Sequence, residues 1–509
     1  MPPSSSHPSV AIAGGGLAGL AAACALADIG FQVTLFERRP FLGGRASSYE
    51  HPGTGEIVDN CQHVLLGCCT NLIEFYRRTG VEDRIRWYDK LVFLEPGGRA
   101  SFISPSFLPA PLHTTPAFLR AACLGWRDKL AIARAMMILA GVLPNGGAEP
   151  LLARAEGGTT VRDGENFLAW LRRQRQTEQA INRFWKTILV SALNEDLDRI
   201  SVPYAAQVVR ESFLKSAAGG RMGVPTVPLT DLYNAAGDYV RARGGMLHFR
   251  RPVEGFAAEP SRVRVRLGDR AEAFDYLVIA LSFDALDRVL PDAPESAAIR
   301  ENLSHFETSP ITGIHLWFDR QVSNLDHAVL LDRTIQWMFH KSRLQPMRAP
   351  QAKESPLLAN AARSGAPADV GSYIELVVSS SKTLVDRSRP EIVDIALKEV
   401  REFFPAAGDA NLLKSTVIKE VNATYSPRPG MDAYRPGAAT AWRRVFLAGD
   451  WTATGWPATM EGAVRSGYLA AEALARAAGR KDARFLSPDL PETGFMRLFA
   501  GRTKASALL

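Results

Sequence analysis

Apolar positions near the start of the chain follow the patterns of a strand, a helix and a second strand. Residues 10–13 form a short apolar run, and residues 17–29 are rich in Ala and Leu with helical spacing and stop at Gly30. Residues 32–36 have the composition of a second buried strand. This succession predicts a β-α-β unit, from which parallel sheets are built.

The rest of the chain carries both helical and strand patterns. We predict further helices at residues 71–79, 126–143, 165–175, 178–193, 229–243 and 390–404. Strands are predicted at residues 248–256, 263–267, 276–280, 311–318, 373–378 and 445–448. Residues 344–371 are rich in Ala, Pro and Ser without periodicity, so we expect a long flexible loop there.

The junction of the first strand and helix carries a Gly-x-Gly-x-x-Gly motif. Gly14 permits a tight turn, Gly16 lets the backbone approach a pyrophosphate, and Gly19 allows close packing of helix and strand. Leu17 and Ala18 open the helix, whose N-terminus attracts phosphate groups. The motif therefore predicts a dinucleotide site.

An acidic residue completes this motif. Glu37 ends the second strand, where it can accept hydrogen bonds from ribose hydroxyls, and Arg38 follows it. The motif and its acid do not by themselves distinguish NAD from FAD.

Two further segments favour FAD. The first is a flexible turn with a cation, placed where a pyrophosphate would lie: Gly43, Gly44, Arg45 and Ala46. The second is a strand that ends in Gly449-Asp450, followed by the start of a helix at Met460, Glu461, Gly462 and Ala463. Asp450 could accept hydrogen bonds from ribityl or ribose hydroxyls, or serve only as a capping or turn acid. Val253, in the predicted strand 248–256, is a further expected contact of the cofactor.

These patterns predict an α/β fold of two domains, as the length of 509 residues also indicates. One is a discontinuous, Rossmann-like FAD-binding domain with a parallel sheet and helices, and the other is an α+β substrate domain with a mixed sheet. The FAD-binding domain is expected at residues 1–95, 229–305 and 420–480. The substrate-binding and membrane-contacting domain is expected at residues 96–228 and 306–419, and a C-terminal tail at residues 481–509.

Composition and charge indicate which partners, which compartment and what kind of membrane contact to expect. The net charge of +7 is spread along the chain as Arg, which fits a solvated basic surface or attraction to an anionic membrane, and no nucleic-acid motif is present. The five cysteines lack metal-binding or disulfide spacing, which indicates a reducing cytoplasm and no metal. Neither a secretory signal nor an apolar run of transmembrane length is visible, so any membrane contact is expected to be peripheral.

Three long strings carry a family resemblance. They are VDNCQHVLLGCC at residues 58–69, SALNE at 191–195, and GDW at 449–451 with TGWPATMEGA at 454–463. The chain resembles the flavin-containing amine oxidase and phytoene desaturase superfamily, and within it the hydroxysqualene dehydroxylases, also called squalene-associated FAD-dependent desaturases. The resemblance extends over about residues 10–477, and the loop at 344–371 looks longer than is usual in the family.

The resemblance implies that reduced FAD supplies hydride to hydroxysqualene, which loses its hydroxyl group and becomes squalene. Such chemistry requires a proton donor and an apolar tunnel that excludes water, and residues 102–143 and 311–318 have a suitable composition. His63 is the first candidate donor because imidazole titrates near neutrality, although it could instead fix the loop geometry. Asp59 is the second candidate, with capping or orientation of the loop as the alternative.

Other functions remain open at this point. A phytoene-type polyene desaturase would share the fold and cofactor and run electrons in the opposite direction. A non-catalytic flavin-binding subunit of a terpenoid enzyme assembly is the alternative from another class. The electron donor that reduces FAD is unknown, because no second dinucleotide motif is visible.

A lipophilic triterpenoid substrate implies delivery from a bilayer, at the inner face of the cytoplasmic membrane. Residues 107–143 mix apolar side chains with Arg and Lys, as helices that lie in the interface do. Residues 495–502 are a shorter rival segment, and an internal core helix is the alternative for residues 126–143.

Overall fold

The computed structural model describes residues 7–51, 56–141, 164–345 and 371–498. Its strands, numbered in chain order, are β1 (Ser9–Ala13), β2 (Gln32–Glu37), β3 (Ser48–Glu50), β4 (Ile57–Asp59), β5 (Leu65–Leu66), β6 (Ile85–Tyr88), β7 (Leu91–Leu94), β8 (Ala100–Ile103), β9 (Met222–Pro225), β10 (Met246–Phe249), β11 (Gly255–Ala258), β12 (Val263–Leu267), β13 (Arg270–Phe274), β14 (Tyr276–Ile279), β15 (Thr308–Phe318), β16 (His327–Leu330), β17 (Trp337–His340), β18 (Tyr373–Ser379), β19 (Leu412–Tyr425) and β20 (Val445–Leu447).

The helices of the same residues are α1 (Leu17–Asp28), α2 (Thr70–Arg78), α3 (Thr115–Arg120), α4 (Trp126–Leu139), α5 (Phe167–Arg173), α6 (Glu178–Ala180), α7 (Lys186–Leu193), α8 (Val202–Val209), α9 (Leu229–Arg241), α10 (Phe283–Leu286), α11 (Pro294–Ser304), α12 (Lys341–Leu344), α13 (Arg389–Phe403) and α14 (Met460–Ala477). Two short π-helical segments, Ile181–Trp185 and Arg210–Leu214, follow α6 and α8 directly. The predicted loop at residues 344–371 lies almost wholly outside the described residues.

A five-stranded parallel sheet has the strand order β10-β2-β1-β14-β20. Helix α1 packs against α14 and α9, and its residues Leu17 to Ala27 are all buried, because an Ala-rich helix can lie close to its neighbours. The sheet takes its strands from both ends and the middle of the chain. The predicted parallel sheet with helices is confirmed.

The predicted strand at 248–256 is divided in the structure. β10 joins the parallel sheet, whereas β11 belongs to a separate antiparallel sheet of order β11-β12-β13. Val253 therefore lies in the connection between two strands rather than within one. The apolar pattern continues through the connection because Val253 is buried against this second sheet.

A seven-stranded mixed sheet has the order β19-β15-β18-β17-β16-β7-β8, with β16 and β7 parallel and its other pairs antiparallel. Helix α13 packs on one face through the apolar residues Ile392, Ala396 and Val400. The predicted mixed sheet is confirmed. β7 and most of β19 belong to this sheet, although residues 91–94 and 420–425 were expected in the FAD-binding domain.

Helices α4 to α8 form a layer around a core with large aromatic side chains, among them Trp170 and Trp185. Residues 481–498 are attached to the body of the protein, since Met496 is fully buried in this layer and Phe495 N donates to Ala110 O at 2.8 Å. Within the described ranges, no helix is long and apolar enough to cross a membrane.

Candidate functional site

The end of β1 and the start of α1 form a backbone cradle. Gly14 has a positive φ of 109°, and its N–H donates to Phe36 O at 2.8 Å. A Cβ on Gly19 would lie 2.0 Å from Gly14 O, so only glycine fits there. At Gly16, in contrast, the nearest atom to an added Cβ is Gly44 Cα at 3.9 Å. The space beside Gly16 is therefore open for a ligand, with Leu17 and Ala18 beginning the helix behind it.

The N-terminus of α1 suits an anion. Its first turn contains no acidic residue, and its N-cap residue, Gly16, makes no side-chain capping hydrogen bond. The first N–H groups of a helix lack intrahelical partners and carry partial positive charge, which favours phosphate.

Glu37 lies at the end of β2 beside this cradle. One carboxylate oxygen accepts from Gly15 N and the other from Arg39 N, both at 2.7 Å. The side chain is thereby held in place, and a carboxylate has further lone pairs for ribose hydroxyls. Glu37 O also accepts from Arg251 N at 2.9 Å, so the connection that holds Val253 runs along the end of β2. Arg38 is exposed to solvent.

The second glycine turn lies directly against the first. Gly43 N donates to Gly15 O at 2.9 Å, and Gly43 pairs with Gly16 as an isolated parallel bridge. A Cβ on Gly44 would lie 3.1 Å from Gly16 Cα, and Ala46 N donates to Gly43 O. The two predicted glycine segments are thus adjacent in space.

Arg45 connects this turn to the C-terminal segment. Its Nη2 donates to Asp450 Oδ1 at 2.7 Å, and its Nη1 to Ala423 O at 2.6 Å. Burial lowers the pKa of Arg45, but the Asp450 carboxylate outweighs burial and raises it overall. Asp450 follows Gly449, where a Cβ would lie 2.3 Å from Trp451 Nε1. The predicted cation and acid form a single ion pair.

The start of α14 contains the remaining predicted contacts. Gly462 N donates to Thr459 Oγ1 at 3.0 Å, Tyr233 OH donates to Met460 Sδ at 3.5 Å, and Ala463 O accepts from Ser466 Oγ at 2.6 Å.

Glu461 is fully buried and bridges two helices, since it also accepts from Arg465 Nη1 of its own helix at 3.3 Å. It accepts from Asn71 N at 3.2 Å, Asn71 Nδ2 at 2.9 Å and Leu72 N at 2.8 Å, so it caps the N-terminus of α2. Its carboxylate is therefore shared between the start of α2 and Arg465 of its own helix.

The residues present fit FAD. Two adjacent glycine turns leave open space at Gly16, an uncapped helix N-terminus faces anions, and Glu37, Arg45 and Asp450 offer charged partners at either side. Gly14, Gly16, Gly43 and Gly44 would hold the pyrophosphate, Glu37 the ribose, and Asp450 the ribityl chain or ribose. The bound cofactor would supply two-electron chemistry.

Asp59 belongs to a buried charged cluster that sequence reasoning did not find. Its Oδ2 accepts from Lys341 Nζ at 2.6 Å, and its Oδ1 from Ser48 Oγ at 2.6 Å and Leu229 N at 3.1 Å. Although burial raises the pKa of Asp59, the Lys341 ammonium and these donors lower it overall. Asp59 is therefore an ionised carboxylate that joins β4 to α9 and α12.

Lys341 is shared between two carboxylates. Besides Asp59, its Nζ donates to Gln62 Oε1 at 2.9 Å and lies 3.5 Å from Glu375 Oε2. The side chains of Lys341 and Glu375 are at most 2% exposed. Burial raises the pKa of Glu375 to about 7, since Lys341 compensates only in part. A charged residue inside the otherwise apolar run at 373–378 was the signal that could have identified this position.

His63 comes directly after Gln62, a residue of this cluster, in the sequence. Its Nδ1 donates to Cys61 O at 2.7 Å, which orients the ring. Burial lowers the pKa of His63, so the imidazole is neutral near pH 7. A neutral ring whose only N–H, at Nδ1, is donated to a backbone carbonyl fits the loop-fixing role, because its Nε2 then accepts hydrogen bonds and has no proton to donate.

An apolar cluster lies beside the charged one, on the face of the seven-stranded sheet opposite α13. Its buried members are Cys61, Met222, Val224, Phe339, Leu344 and Val377, here named the Cys61 cluster. The partly buried residues Val64, Leu66 and Trp337 extend it.

Two further groups of residues stabilise the surroundings of the site. Asn194, in the left-handed conformation, donates to Ser309 O at 2.9 Å, which ties the end of α7 to the large sheet. Buried Arg435 donates to the carbonyl oxygens of Asp450 at 3.2 Å and Trp456 at 2.7 Å. Arg435, which sequence reasoning missed, thereby shapes the loop that presents Asp450.

Comparison with known proteins agrees with this geometry. The family model described as flavin containing amine oxidoreductase matches residues 17–475. The chain belongs to this family. It is a flavin-dependent oxidoreductase with FAD as its cofactor, and the predicted cofactor and superfamily are confirmed.

Curated relatives cover nearly the whole chain. Over 484 residues the chain is 28% identical to the 15-cis-phytoene desaturase of Synechococcus elongatus, with 91% of this chain and 95% of the relative covered. Over 492 residues it is 29% identical to the probable zeta-carotene desaturase of the same organism, with 92% and 98% covered.

Solved structures share the fold at low identity. Cyclohexylamine oxidase from Brevibacterium oxydans IH-35A matches with a TM-score of 0.64 at 18% identity, over 93% of this chain and 100% of that chain. An oxidoreductase from Methanosarcina mazei matches with a TM-score of 0.65 at 16% identity, over 90% and 98%. These likenesses concern the fold alone.

Proposed function

We propose that the protein removes the hydroxyl group of hydroxysqualene and produces squalene, with hydride from reduced FAD and a proton from the protein. The observation that carries this proposal is the buried cluster of Asp59, Lys341 and Glu375 beside the apolar Cys61 cluster. Loss of a hydroxyl group as water consumes a proton, which an enclosed apolar site has to obtain from an ionisable side chain. The resemblance of residues 58–69, 191–195 and 449–463 supports the same substrate.

Oxidative desaturation of a polyene is the second candidate. It is favoured by the relatives named phytoene desaturase and zeta-carotene desaturase, at 28% and 29% identity. Both reactions use the same cofactor and an apolar substrate, but electrons flow from FAD in the first and to FAD in the second.

The test is an anaerobic half-reaction that reads the direction of electron flow. Photoreduced holoenzyme is mixed with hydroxysqualene in detergent, and oxidised holoenzyme with phytoene, while the flavin absorbance and the products are followed. Flavin oxidation with an equal amount of squalene supports the proposal. Flavin reduction by the polyene, with no reaction of hydroxysqualene, supports the desaturase instead.

We further propose that the substrate enters from a membrane surface. Large apolar side chains are exposed on α3, on α4 and in the segment 494–498: Leu119 (61%), Trp126 (68%), Leu130 (61%), Met137 (42%), Phe495 (49%) and Leu498 (74%). On α4 these large exposed apolar residues lie within about 40° of arc at about 100° per residue, with Arg127 and Arg134 beside them. Ile132 and Ile138 of the same helix lie outside this arc and are core residues.

Vesicle sedimentation tests this surface. Burial of a Trp and a Leu side chain is worth about 1.5–3 kcal/mol each. The variant Trp126→Glu/Leu130→Glu should therefore lower the partition coefficient for anionic phospholipid vesicles at least about tenfold. The control is Leu413→Glu, which changes an apolar residue that is 68% exposed on β19. Equal binding of both variants would contradict the proposal.

A further inference from the structure

The environment of Glu375 differs from that of Asp59, the other carboxyl group of the buried cluster. Glu375 is fully buried, and among the described residues only the Gln62 backbone N–H and the Lys341 ammonium face its carboxylate, neither of them at close hydrogen-bonding geometry. Asp59, in the same cluster, accepts hydrogen bonds from Lys341, Ser48 and Leu229. A buried carboxylate with such weak donors is costly, because they replace only part of the hydration that the charge loses.

The strand register determines which way Glu375 faces. Side chains alternate along β18, so Ile374 and Leu376 pack with α13, whereas Glu375 lies on the same face as Val377. Glu375 is paired with His315 on β15 and with Phe339 on β17. Because Val377 and Phe339 both belong to the Cys61 cluster, the carboxyl group lies at the border of that cluster.

The titratable groups around Glu375 come from all elements packed against it. They are Tyr49 on β3, Asp59 on β4, Cys61 on the following segment, His315 on β15, Lys341 on α12 and Tyr373 on β18 itself. Burial holds the pKa of His315 down to about 3 and that of the two tyrosines above the usual value, so these rings are neutral near pH 7. Lys341 is the positive group of this set, and Asp59 already uses its charge at 2.6 Å.

We propose that Glu375 is protonated in the resting holoenzyme and stores the proton that the reaction consumes. The inference rests on the proposed reductive dehydroxylation. In that reaction the Glu375 proton ends on the substrate oxygen, the carbon–oxygen bond breaks with its electron pair leaving in water, and the carbon receives hydride. Glu375 is left as a carboxylate 3.5 Å from Lys341 Nζ and regains a proton from solvent. Because the carboxyl group is enclosed, it holds this proton at the border of the Cys61 cluster.

The first test is the stability of the holoenzyme, which does not depend on activity. The folded-state pKa of Glu375 is about 7 and the ordinary value is 4.5. Between these values the folded state binds more protons than the unfolded state, so stability falls as pH rises and levels off above pH 7. Relative to Glu375→Gln, the unfolding equilibrium constant of the wild type should rise up to about tenfold per pH unit from pH 5 to 7.

The second test is the pH profile of the half-reaction with hydroxysqualene. The wild-type rate should fall about tenfold for each pH unit above 7, because the protonated fraction does. Glu375→Gln should be slow and independent of pH there, and Glu375→Asp should keep a descending limb. The control is Glu399→Gln, a buried glutamate whose oxygens accept from Thr334 N and Ile335 N, which should behave as the wild type. FAD absorbance and circular dichroism show whether each variant is folded.

Each outcome of the two tests either supports or overturns the role of Glu375 as the proton store. Loss of both pH dependences in Glu375→Gln supports the proposal. A wild-type stability that does not differ from Glu375→Gln between pH 5 and 7 shows that Glu375 is ionised and overturns it. A changed stability profile with an unchanged rate profile, or loss of the descending limb in His63→Ala instead, assigns the proton store elsewhere and also overturns it. If hydroxysqualene does not react in the wild type, the proposed function fails, and the stability test still reports on Glu375.

Discussion

Removal of the Lys341 ammonium should strongly destabilise the protein. Lys341 lies 2.6 Å from Asp59 and 3.5 Å from Glu375, and all three side chains are at most 2% exposed. In Lys341→Met both carboxyl groups lose their cation. Glu375 can remain neutral by keeping its proton, but Asp59 keeps its charge because Ser48 and Leu229 still donate to it.

The expected cost follows from that one uncompensated charge. Loss of one partner of a buried ion pair costs about 3–5 kcal/mol, whereas replacement of both partners is much less harmful. Asp59→Asn/Lys341→Met should therefore be more stable than the sum of the two single variants implies, with a coupling of about 1–3 kcal/mol. Lys398→Met, at an exposed position of α13, should change the free energy of unfolding by less than about 0.5 kcal/mol.

Urea unfolding of the wild type, the two single variants, the double variant and Lys398→Met, followed by tryptophan fluorescence at pH 7 with saturating FAD, measures these differences. If the effects of Asp59→Asn and Lys341→Met add within error, the two groups do not interact, which would refute a stabilising buried pair. A cost below about 1 kcal/mol for Lys341→Met would refute it equally, since exposed pairs have that magnitude.

Three further predictions concern the cofactor, a helix cap and acid stability. Gly16→Ala should keep the fold, because an added Cβ has no atom nearer than 3.9 Å, but weaken FAD at least about tenfold as measured by flavin fluorescence titration; unchanged affinity would place the pyrophosphate elsewhere. Glu461→Ala should lower stability by about 3 kcal/mol in urea unfolding, because Asn71 and Leu72 lose a buried charged acceptor; Glu461→Gln should recover part of this, and equal stability of the two would contradict the capping role. Asp59, whose pKa is lowered in the folded state, should contribute stability that is present above about pH 4 and lost on further acidification, so the difference between wild type and Asp59→Asn should shrink in acid unfolding; a constant difference would contradict an ionised Asp59.

The cofactor site was accessible from sequence because its signals are local. Gly14, Gly16 and Gly19 lie within six consecutive residues, and Gly43 and Gly44 are adjacent in the sequence. Their mutual contact, and the pairing of Arg45 with Asp450, depend on the return of the chain to the same sheet edge. The parallel sheet brings these segments together, because its strands β10, β2, β1, β14 and β20 come from distant parts of the chain.

The charged cluster was not accessible in this way. Asp59, Lys341 and Glu375 come from distant parts of the chain, and no spacing rule connects them. Asp59 was the second candidate proton donor, with capping or orientation of the loop as the alternative, and neither interpretation included a buried ion pair. The long strand β19 was also missed, because its side chains are mostly half-exposed and show no apolar alternation.

Glu461 illustrates a different limit. Its position at the start of α14 suggested service to its own helix or to the cofactor, but its carboxylate reaches the N-terminus of α2. A residue's position on one helix does not reveal which other helix packs beside it.

The proposed dehydroxylation requires this flavin-dependent oxidoreductase to pass electrons from FAD to its substrate. The most direct test is anaerobic mixing of the reduced holoenzyme with hydroxysqualene, with flavin absorbance and product measured in one experiment. One squalene should form for each flavin oxidised. A flavin that stays reduced with hydroxysqualene, and that phytoene reduces from the oxidised state, would contradict the proposed dehydroxylation and identify a desaturase.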